Sequence, residues 1–178
     1  MEKLETDRLI FTLFDENLYE DFIRLFTDEA VMEYVDRGVL SKEATDVLWR
    51  RLIDELYPGG IKTIWAVVAK EDLRFVGYAN IRPRPENKNE TELGYILRQA
   101  EWGKGYATEI AGRLIEFGFK ELGLNTVYAT VNIKNENSIK VLEKCGMNLL
   151  RTEYDEQGEF YVYGVRKGLK HRLPGLAV

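Results

Sequence analysis

Two glycines, Gly103 and Gly105, lie one residue apart between a strand-like run that ends near Arg98 and a long helical pattern. Glycines leave the backbone N–H groups of such a turn uncovered, and a helix that begins there adds the positive end of its dipole. Bound phosphate oxygens require these two features together. Residues 101–109, with the sequence EWGKGYATE, therefore predict an anion site, and we interpret it as a site for a pyrophosphate.

Two common phosphate-binding patterns do not fit this stretch. A Walker loop needs Lys and then Ser or Thr directly after its second glycine, whereas Lys104 lies between the glycines and Tyr106 follows the second. A dinucleotide fingerprint needs a third glycine at the position of Thr108. A single Gly-x-Gly is a weak signal, so the interpretation depends on the sequence around it.

A third pattern fits better. The run from Trp102 to Ala107 resembles the acetyl-coenzyme A loop of the GNAT N-acetyltransferases, with Gly105-Tyr106-Ala107 matching its Gly-x-Ala part. Trp102 departs from that pattern, which has Gln or Arg at this position. The wider run resembles the RimJ/RimL-like branch, where an aromatic residue before Gly-x-Gly-Tyr-Ala-Thr-Glu is common.

A second motif lies at the expected distance. Residues 132–147, from Asn132 to Met147, resemble the GNAT segment after the fifth strand, in which Asn-x-x-Ser/Ala precedes an apolar helix ending in Glu-Lys-x-Gly-Phe/Met. The two motifs occur in the right order and on the right elements. The resemblance extends over most of the chain and includes residues 4–9.

Composition limits the other classes of protein. The chain has 178 residues, 45% of them hydrophobic, which predicts a single domain at 1–166 and an aperiodic, mobile tail at 167–178. The formal charge of −5 and the lack of a dense Lys/Arg block argue against nucleic acid as a partner. Without an apolar leader or span, a cytoplasmic location with no membrane contact is expected. With one cysteine, Cys145, and one histidine, His171, no metal is expected.

The patterns predict an α/β (α+β) fold that resembles GNAT proteins. We expect a mixed, mostly antiparallel central sheet of about six to seven strands. The resemblance implies helices on both faces of the sheet and splayed central strands. Asp15 and Ser41 are predicted to cap the first two helices, the second with a stripe of Ala44, Leu48, Leu52 and Leu56. Strand, helix and strand around the glycine turn should form a right-handed parallel unit. Strands are predicted at 9–14, 64–69, 75–81, 91–98, 126–132, 147–154 and 160–166.

The resemblance implies acetyl-CoA as co-substrate and direct attack of an amine on its thioester. It implies that residues 103–108 offer N–H groups to the pyrophosphate and that Ile96 and Leu97 bind the pantetheine, beside a backbone N–H that polarises the thioester carbonyl. The cofactor contacts it implies are Ile96, Leu97, Arg98, Trp102, Gly103, Lys104, Gly105, Tyr106, Ala107, Thr108, Asn132 and Asn137.

The catalytic groups are less obvious. GNAT proteins often protonate the leaving thiolate with a Tyr at the position of Leu142, whereas Ser138 shares the helical face of Leu142 and could deliver the proton instead. Ser138 could equally be a first-turn or capping residue. Glu92 is the candidate general base, acting through water, or else a carboxylate that pairs across the sheet; Glu153 and Asp155 are alternatives.

The acceptor is left open by these patterns. The resemblance makes Tyr34, Asp36 and Trp49 candidate substrate contacts, against the alternative of ordinary helix residues. An α-amine as in ribosomal-protein acetylation, or a small amine, would serve as acceptor. Losing a proton at pH 7 costs about 1 kcal/mol for an α-amine and about 4 to 5 kcal/mol for a lysine-like amine.

Two other functions compete with an enzyme. A non-catalytic acyl-CoA-binding or regulatory module would keep the loop without turnover, and a nucleotide-binding switch would bind ATP or GTP but not coenzyme A. The apolar and aromatic residues of the last strands are compatible with a homodimer, although a folded core would give the same pattern.

Overall fold

The computed structural model describes residues 4–35, 38–156 and 158–168, and in this part of the chain seven strands form one sheet. The strands are β1 (Leu9–Thr12), β2 (Ile64–Ala69), β3 (Phe75–Pro83), β4 (Thr91–Leu97), β5 (Thr126–Asn132), β6 (Asn148–Asp155) and β7 (Gly158–Arg166). The α-helices are α1 (Tyr19–Thr27), α2 (Glu29–Met32), α3 (Lys42–Arg50), α4 (Tyr106–Lys120) and α5 (Glu136–Lys144). The strand order is β1-β2-β3-β4-β5-β7-β6.

The sheet is mixed and mostly antiparallel, as predicted. β1 pairs antiparallel with β2, and β7 pairs antiparallel with both β5 and β6. β4 and β5 flank α4 in the chain and pair in parallel, which confirms the predicted parallel unit. Their register pair is Glu92 with Tyr128, whereas β5 and β7 are paired from Thr126 to Asn132. This short parallel pairing fits the splayed central strands that the resemblance implies.

The chain divides into two compact units, of which the first comprises residues 1–79 and 96–102. Ser41 accepts a hydrogen bond from the backbone N–H of Ala44 and caps α3 as predicted. Asp15 accepts one from the N–H of Asn17 and caps a short 3-10 turn, Glu16–Leu18, that leads into α1. The core of this unit is aromatic. Its buried members are Phe14, Phe22, Leu25, Phe26, Val31, Met32, Trp49, Leu52, Ile64, Ala66 and Phe75.

Two predictions for the first unit were wrong in detail. Ala44 is exposed, and the buried face of α3 carries Thr45 and Trp49 instead. The backbone widens into a π-helical segment at Arg51–Leu56, so a constant 3.6-residue spacing does not continue through it. The sequence also predicted no helix at Glu29–Met32, where the structure has α2, a helix of four residues that Asp28 caps.

The second unit comprises residues 80–95 and 103–178 and is built on α4, α5 and the C-terminal strands. A Cβ atom at Gly118 of α4 would lie 2.7 Å from Cγ2 of Val127, so the helix lies very close to β5. Asn135 caps α5 by accepting a hydrogen bond from the N–H of Ser138, and Gly146, with φ of 76°, follows its end as predicted.

The domain limits at 166 and 167 stay a prediction. Lys167 and Gly168 are described, whereas residues 169–178, with His171, lie outside the described residues. Within the described ranges, no helix is long and apolar enough to cross a membrane.

Candidate active site

The anion loop, residues 103–108, turns directly into the N-terminus of α4. Gly103 and Gly105 have φ of 74° and 82°, values that favour glycine, and Gly105 is the N-cap residue of the helix without a side-chain capping bond. A Cβ atom at Gly103 would meet no heavy atom within 4 Å, so space is open beside the backbone. Glu109 donates the N–H that bonds to the carbonyl of Gly105. The N–H groups of Tyr106, Ala107 and Thr108 precede this first helical bond and suit an anion.

Buried side chains fix the loop from within the second unit. The Tyr106 side chain is buried, whereas Lys104 is exposed. Cys145 donates a long hydrogen bond, 3.5 Å, from Sγ to the carbonyl of Thr108, and burial raises the pKa of its thiol to about 11. The thiol therefore stays protonated near neutral pH and acts as a packing residue.

The residues before the loop are held within the first unit. The Glu101 carboxylate is buried and accepts a hydrogen bond from Nε of Arg74 at 3.2 Å. The Trp102 indole donates to the carbonyl of Leu97 at 2.9 Å, which gives this departure from the family pattern a structural role. A Cβ atom at Gly77 would lie 2.1 Å from the carbonyl oxygen of Ile96, so only glycine fits beside this strand.

Ser138 lies in the first turn of α5 and pairs with a residue that the sequence analysis did not single out. Its Oγ is 2.8 Å from the hydroxyl oxygen of Tyr95 on β4. Burial is the main cause that raises the pKa of Tyr95 above its usual value, whereas its hydrogen bond with Ser138 lowers it. Strand alternation would have been a signal, because Tyr95 shares the face of Leu93 and Leu97, and a hydroxyl on a buried face needs a partner.

Glu92 lies on the opposite face of β4 from Tyr95, because side chains alternate along a strand. Its Oε2 accepts a 3.4 Å hydrogen bond from the Thr130 hydroxyl and is 3.7 Å from Nε of Arg84. The predicted alternative, a carboxylate that pairs across the sheet, therefore describes its contacts. Its role as a base stays a prediction.

Glu92 belongs to a group that we call the Arg84 cluster, formed by Arg84, Glu90, Glu92, Arg151 and Glu153. Arg84 is 1% exposed and donates hydrogen bonds of 2.6 Å to Glu90 and to Glu153. These charge-assisted bonds, first that from Arg84 and then that from Arg151, hold the pKa of Glu153 below its usual value. Glu153 is thus an ion-pair partner and a weak base.

The other candidates have more ordinary surroundings. Asp155 accepts a hydrogen bond from the N–H of Gly158 at the β6–β7 turn. Asn132 accepts one from the N–H of Lys134, and Asn137 is exposed in the first turn of α5.

The three candidate acceptor contacts differ in what the structure says of them. Trp49 is 8% exposed and packs edge-on against Tyr19 and Phe22, which accounts for it as a core residue. Tyr34 is half-buried, and Asp36 lies outside the described residues.

A family model described as an acetyltransferase (GNAT) domain matches residues 8–148. The uncharacterized protein YkkB of Bacillus subtilis is 33% identical over 154 residues, which cover 84% of this chain and 87% of that protein. The uncharacterized N-acetyltransferase p20 of Bacillus licheniformis is 28% identical over 144 residues, 80% of each chain. The chain therefore belongs to the GNAT acetyltransferase family, and it is an acetyl-CoA-dependent N-acetyltransferase.

Solved structures share the fold at low sequence identity. A GNAT-family acetyltransferase from Bacillus anthracis superposes with a TM-score of 0.78 at 23% identity, over 92% of this chain and 98% of that one. Spermidine N-acetyltransferase from Vibrio cholerae, in complex with CoA and spermine, superposes with a TM-score of 0.75 at 15% identity, over 89% of this chain and 95% of that one. Ribosomal-protein-S5-alanine acetyltransferase from Vibrio fischeri superposes with a TM-score of 0.75 at 17% identity, over 94% of this chain and 98% of that one. The predicted GNAT fold is confirmed.

Proposed function

We propose that this enzyme acetylates the α-amine of a protein or peptide N-terminus, as in the RimJ/RimL-like branch that its loop sequence resembles. The observation that carries the donor side is the anion loop, whose paired left-handed glycines open into the N-terminus of α4. We propose that Gly103 to Thr108 bind the pyrophosphate of acetyl-CoA through backbone N–H groups. The other proposed cofactor contacts are Ile96, Leu97, Arg98, Trp102, Asn132 and Asn137.

The preference for an α-amine rests on the surroundings of the candidate bases. Glu92 and Glu153 both lie within ion-pair distance of Arg84, and the pKa of Glu153 is lowered. The Glu153 carboxylate is therefore a weak proton acceptor, so an amine that is easily deprotonated is favoured. An α-amine loses its proton at a cost of about 1 kcal/mol at pH 7, several kcal/mol less than a lysine-like amine.

We propose that Ser138 delivers the proton to the leaving sulfur and that Glu92 assists removal of the amine proton through water. Ser138 lies in the first turn of α5, and what supports the first role is its half-buried hydroxyl, 2.8 Å from that of Tyr95. General acid–base assistance of this kind contributes about 10² to 10⁴ in rate.

A small amine is the second candidate acceptor. A solved structure with the same fold, at 15% identity, contains spermine together with CoA. The formal charge of −5 on this chain would also attract a polycation.

A thiol-release assay with acetyl-CoA tests the two acceptors. We would compare three acceptors, each at pH 7 and pH 9. They are a short lysine-containing peptide with a free α-amine, the same peptide with its α-amine acetylated so that only the lysine amine is free, and spermine. Turnover of the free α-amine at pH 7, with little on the blocked peptide, is expected. Turnover with spermine alone would replace the proposed acceptor, and tight CoA binding with no turnover on any amine would overturn the proposal.

A further inference from the structure

The hydroxyl groups of Tyr95 and Ser138 form a pair that joins β4 to the first turn of α5 in the second unit, with 2.8 Å between the oxygens. We propose that Tyr95 is a positioning residue for the reaction. Its O–H donates to Ser138 Oγ and thereby turns the Ser138 O–H toward the sulfur of acetyl-CoA. This inference rests on the proposed role of Ser138.

Both residues are held where this pairing requires them. Tyr95 lies on the face of β4 that also carries Leu93 and Leu97, which are 3% and 6% exposed. The backbone N–H of Ser138 donates to Oδ1 of Asn135 at 3.0 Å, which fixes the first turn of α5. Cys145 lies seven residues further on, on the same helical face, and is fully buried.

The direction of the hydrogen bond follows from acidity. A phenol is a stronger acid than an aliphatic alcohol, so the tyrosine hydroxyl is the better donor of the two. Burial raises the pKa of Tyr95, so its hydroxyl stays protonated where a thiol titrates. Tyr95 therefore keeps its proton. Because the Ser138 oxygen accepts from Tyr95, the serine hydrogen is left to point elsewhere.

The proton count closes without a change in Tyr95. The amine nitrogen forms a bond to the acetyl carbon, the carbon–sulfur bond breaks, and its electron pair stays on sulfur. Ser138 passes its proton to that sulfur and regains one from water, while water receives the proton that nitrogen loses. Tyr95 lowers the cost of this transfer because Ser138 is already oriented before the bond breaks.

The test compares Tyr95→Phe, Ser138→Ala and the double variant in steady-state kinetics with the α-amine peptide. Tyr163→Phe is the matched control, because Tyr163 is 4% exposed and its hydroxyl donates to Glu143 of the same helix at 3.3 Å. We expect Tyr95→Phe to lower kcat about tenfold and Ser138→Ala about 10²-fold, with little change in KM for acetyl-CoA. The double variant should match Ser138→Ala, since the two hydroxyls act as one unit.

The possible outcomes distinguish failure of the positioning role of Tyr95 from failure of the proposed function. If Tyr95→Phe matches the Tyr163→Phe control in kcat, or if its effect adds fully to that of Ser138→Ala, the positioning role is overturned and the enzyme remains. An unchanged kcat in Ser138→Ala removes the role of both hydroxyls. Absence of turnover in the wild-type protein contradicts the proposed acceptor instead. Urea unfolding of all four variants separates a loss of kcat from a loss of folded protein.

Discussion

Nη2 of Arg84 lies 2.6 Å from Oε2 of Glu153, which joins the residue after β3 to the strand β6 across 69 positions of sequence. The side chain of Arg84 is almost completely buried, and Glu90 accepts a second bond from Nη1. Removing Glu153 would leave the buried charge of Arg84 only partly compensated, because Glu90 would then be its main remaining partner. The Arg84 cluster is therefore a structural tie within the second unit.

This tie predicts an acid-sensitive stability. The folded-state pKa of Glu153 lies below its unfolded value, chiefly through its hydrogen bond with Arg84. Its contribution is thus fully present above the unfolded value of about 4.3 and is lost as pH falls through that value toward the folded one. Glu153→Gln should lower the free energy of unfolding at pH 7 by roughly 1–3 kcal/mol. It should also lose less stability than the wild type between pH 7 and pH 3, measured by urea unfolding.

Glu136→Gln is the control for this measurement, because the Glu136–Lys140 pair is exposed. Exposed pairs contribute about 0–1 kcal/mol. Equal acid-induced losses in the wild type and in Glu153→Gln would contradict the assigned role.

The glycines that flank the two ends of α4 allow a prediction on ligand binding. Gly105→Val places a side chain against the bound pyrophosphate and should weaken CoA binding by at least about tenfold, equivalent to 1.4 kcal/mol. Gly123→Val is the matched control, since Gly123 also has a positive φ, of 66°, beyond the opposite end of the helix. Both changes cost about 1–2 kcal/mol in backbone strain. Isothermal titration with CoA should show weaker binding for Gly105→Val alone; unchanged binding would mean that the loop has another role.

Two further glycines of α4 should respond in opposite directions to the same substitution. A Cβ at Gly112 meets nothing within 4 Å, whereas one at Gly118 would lie 2.7 Å from Val127 and 3.1 Å from Ile81. Gly112→Ala should stabilise the protein by up to about 1 kcal/mol through helix propensity. Gly118→Ala should destabilise it by about 1–3 kcal/mol through overpacking. Thermal unfolding of the two variants measures the difference, and a shift of the same sign in both would contradict this picture of α4.

Local signals in the sequence were sufficient to predict much of the fold. The seven strands, the caps at Asp15 and Ser41 and the start of α4 follow from alternation, capping residues and glycines that act within a few positions. The α2 helix was missed because four residues carry too little periodicity. The stripe was wrong at Ala44 because α3 buries Thr45 and Trp49 instead, and the winding of the helix changes beyond that point, at Arg51.

The missing parts of the site depend on contacts that are distant in sequence. Tyr95 and Ser138 are 43 positions apart, and Arg84 and Glu153 are 69 positions apart. The sequence around each of these residues contains no local pattern from which its partner could be predicted. The candidate acceptor contacts could not be tested from local patterns either. Trp49 has the spacing of an ordinary helix residue, and in the structure its core packing accounts for it.

The irregular pairing of β6 has a consequence for association between copies of the chain. β6 is the last strand of the sheet, with Leu149, Leu150 and Tyr154 exposed, and its register with β7 shifts between Leu149 and Arg151. Such a bulge bends the outer strand and interrupts the row of backbone groups that it would otherwise present to a neighbour. The apolar edge of the sheet is therefore a poor template for strand addition. A homodimer, with which these residues are compatible and which sedimentation velocity would detect, would have to form through side chains.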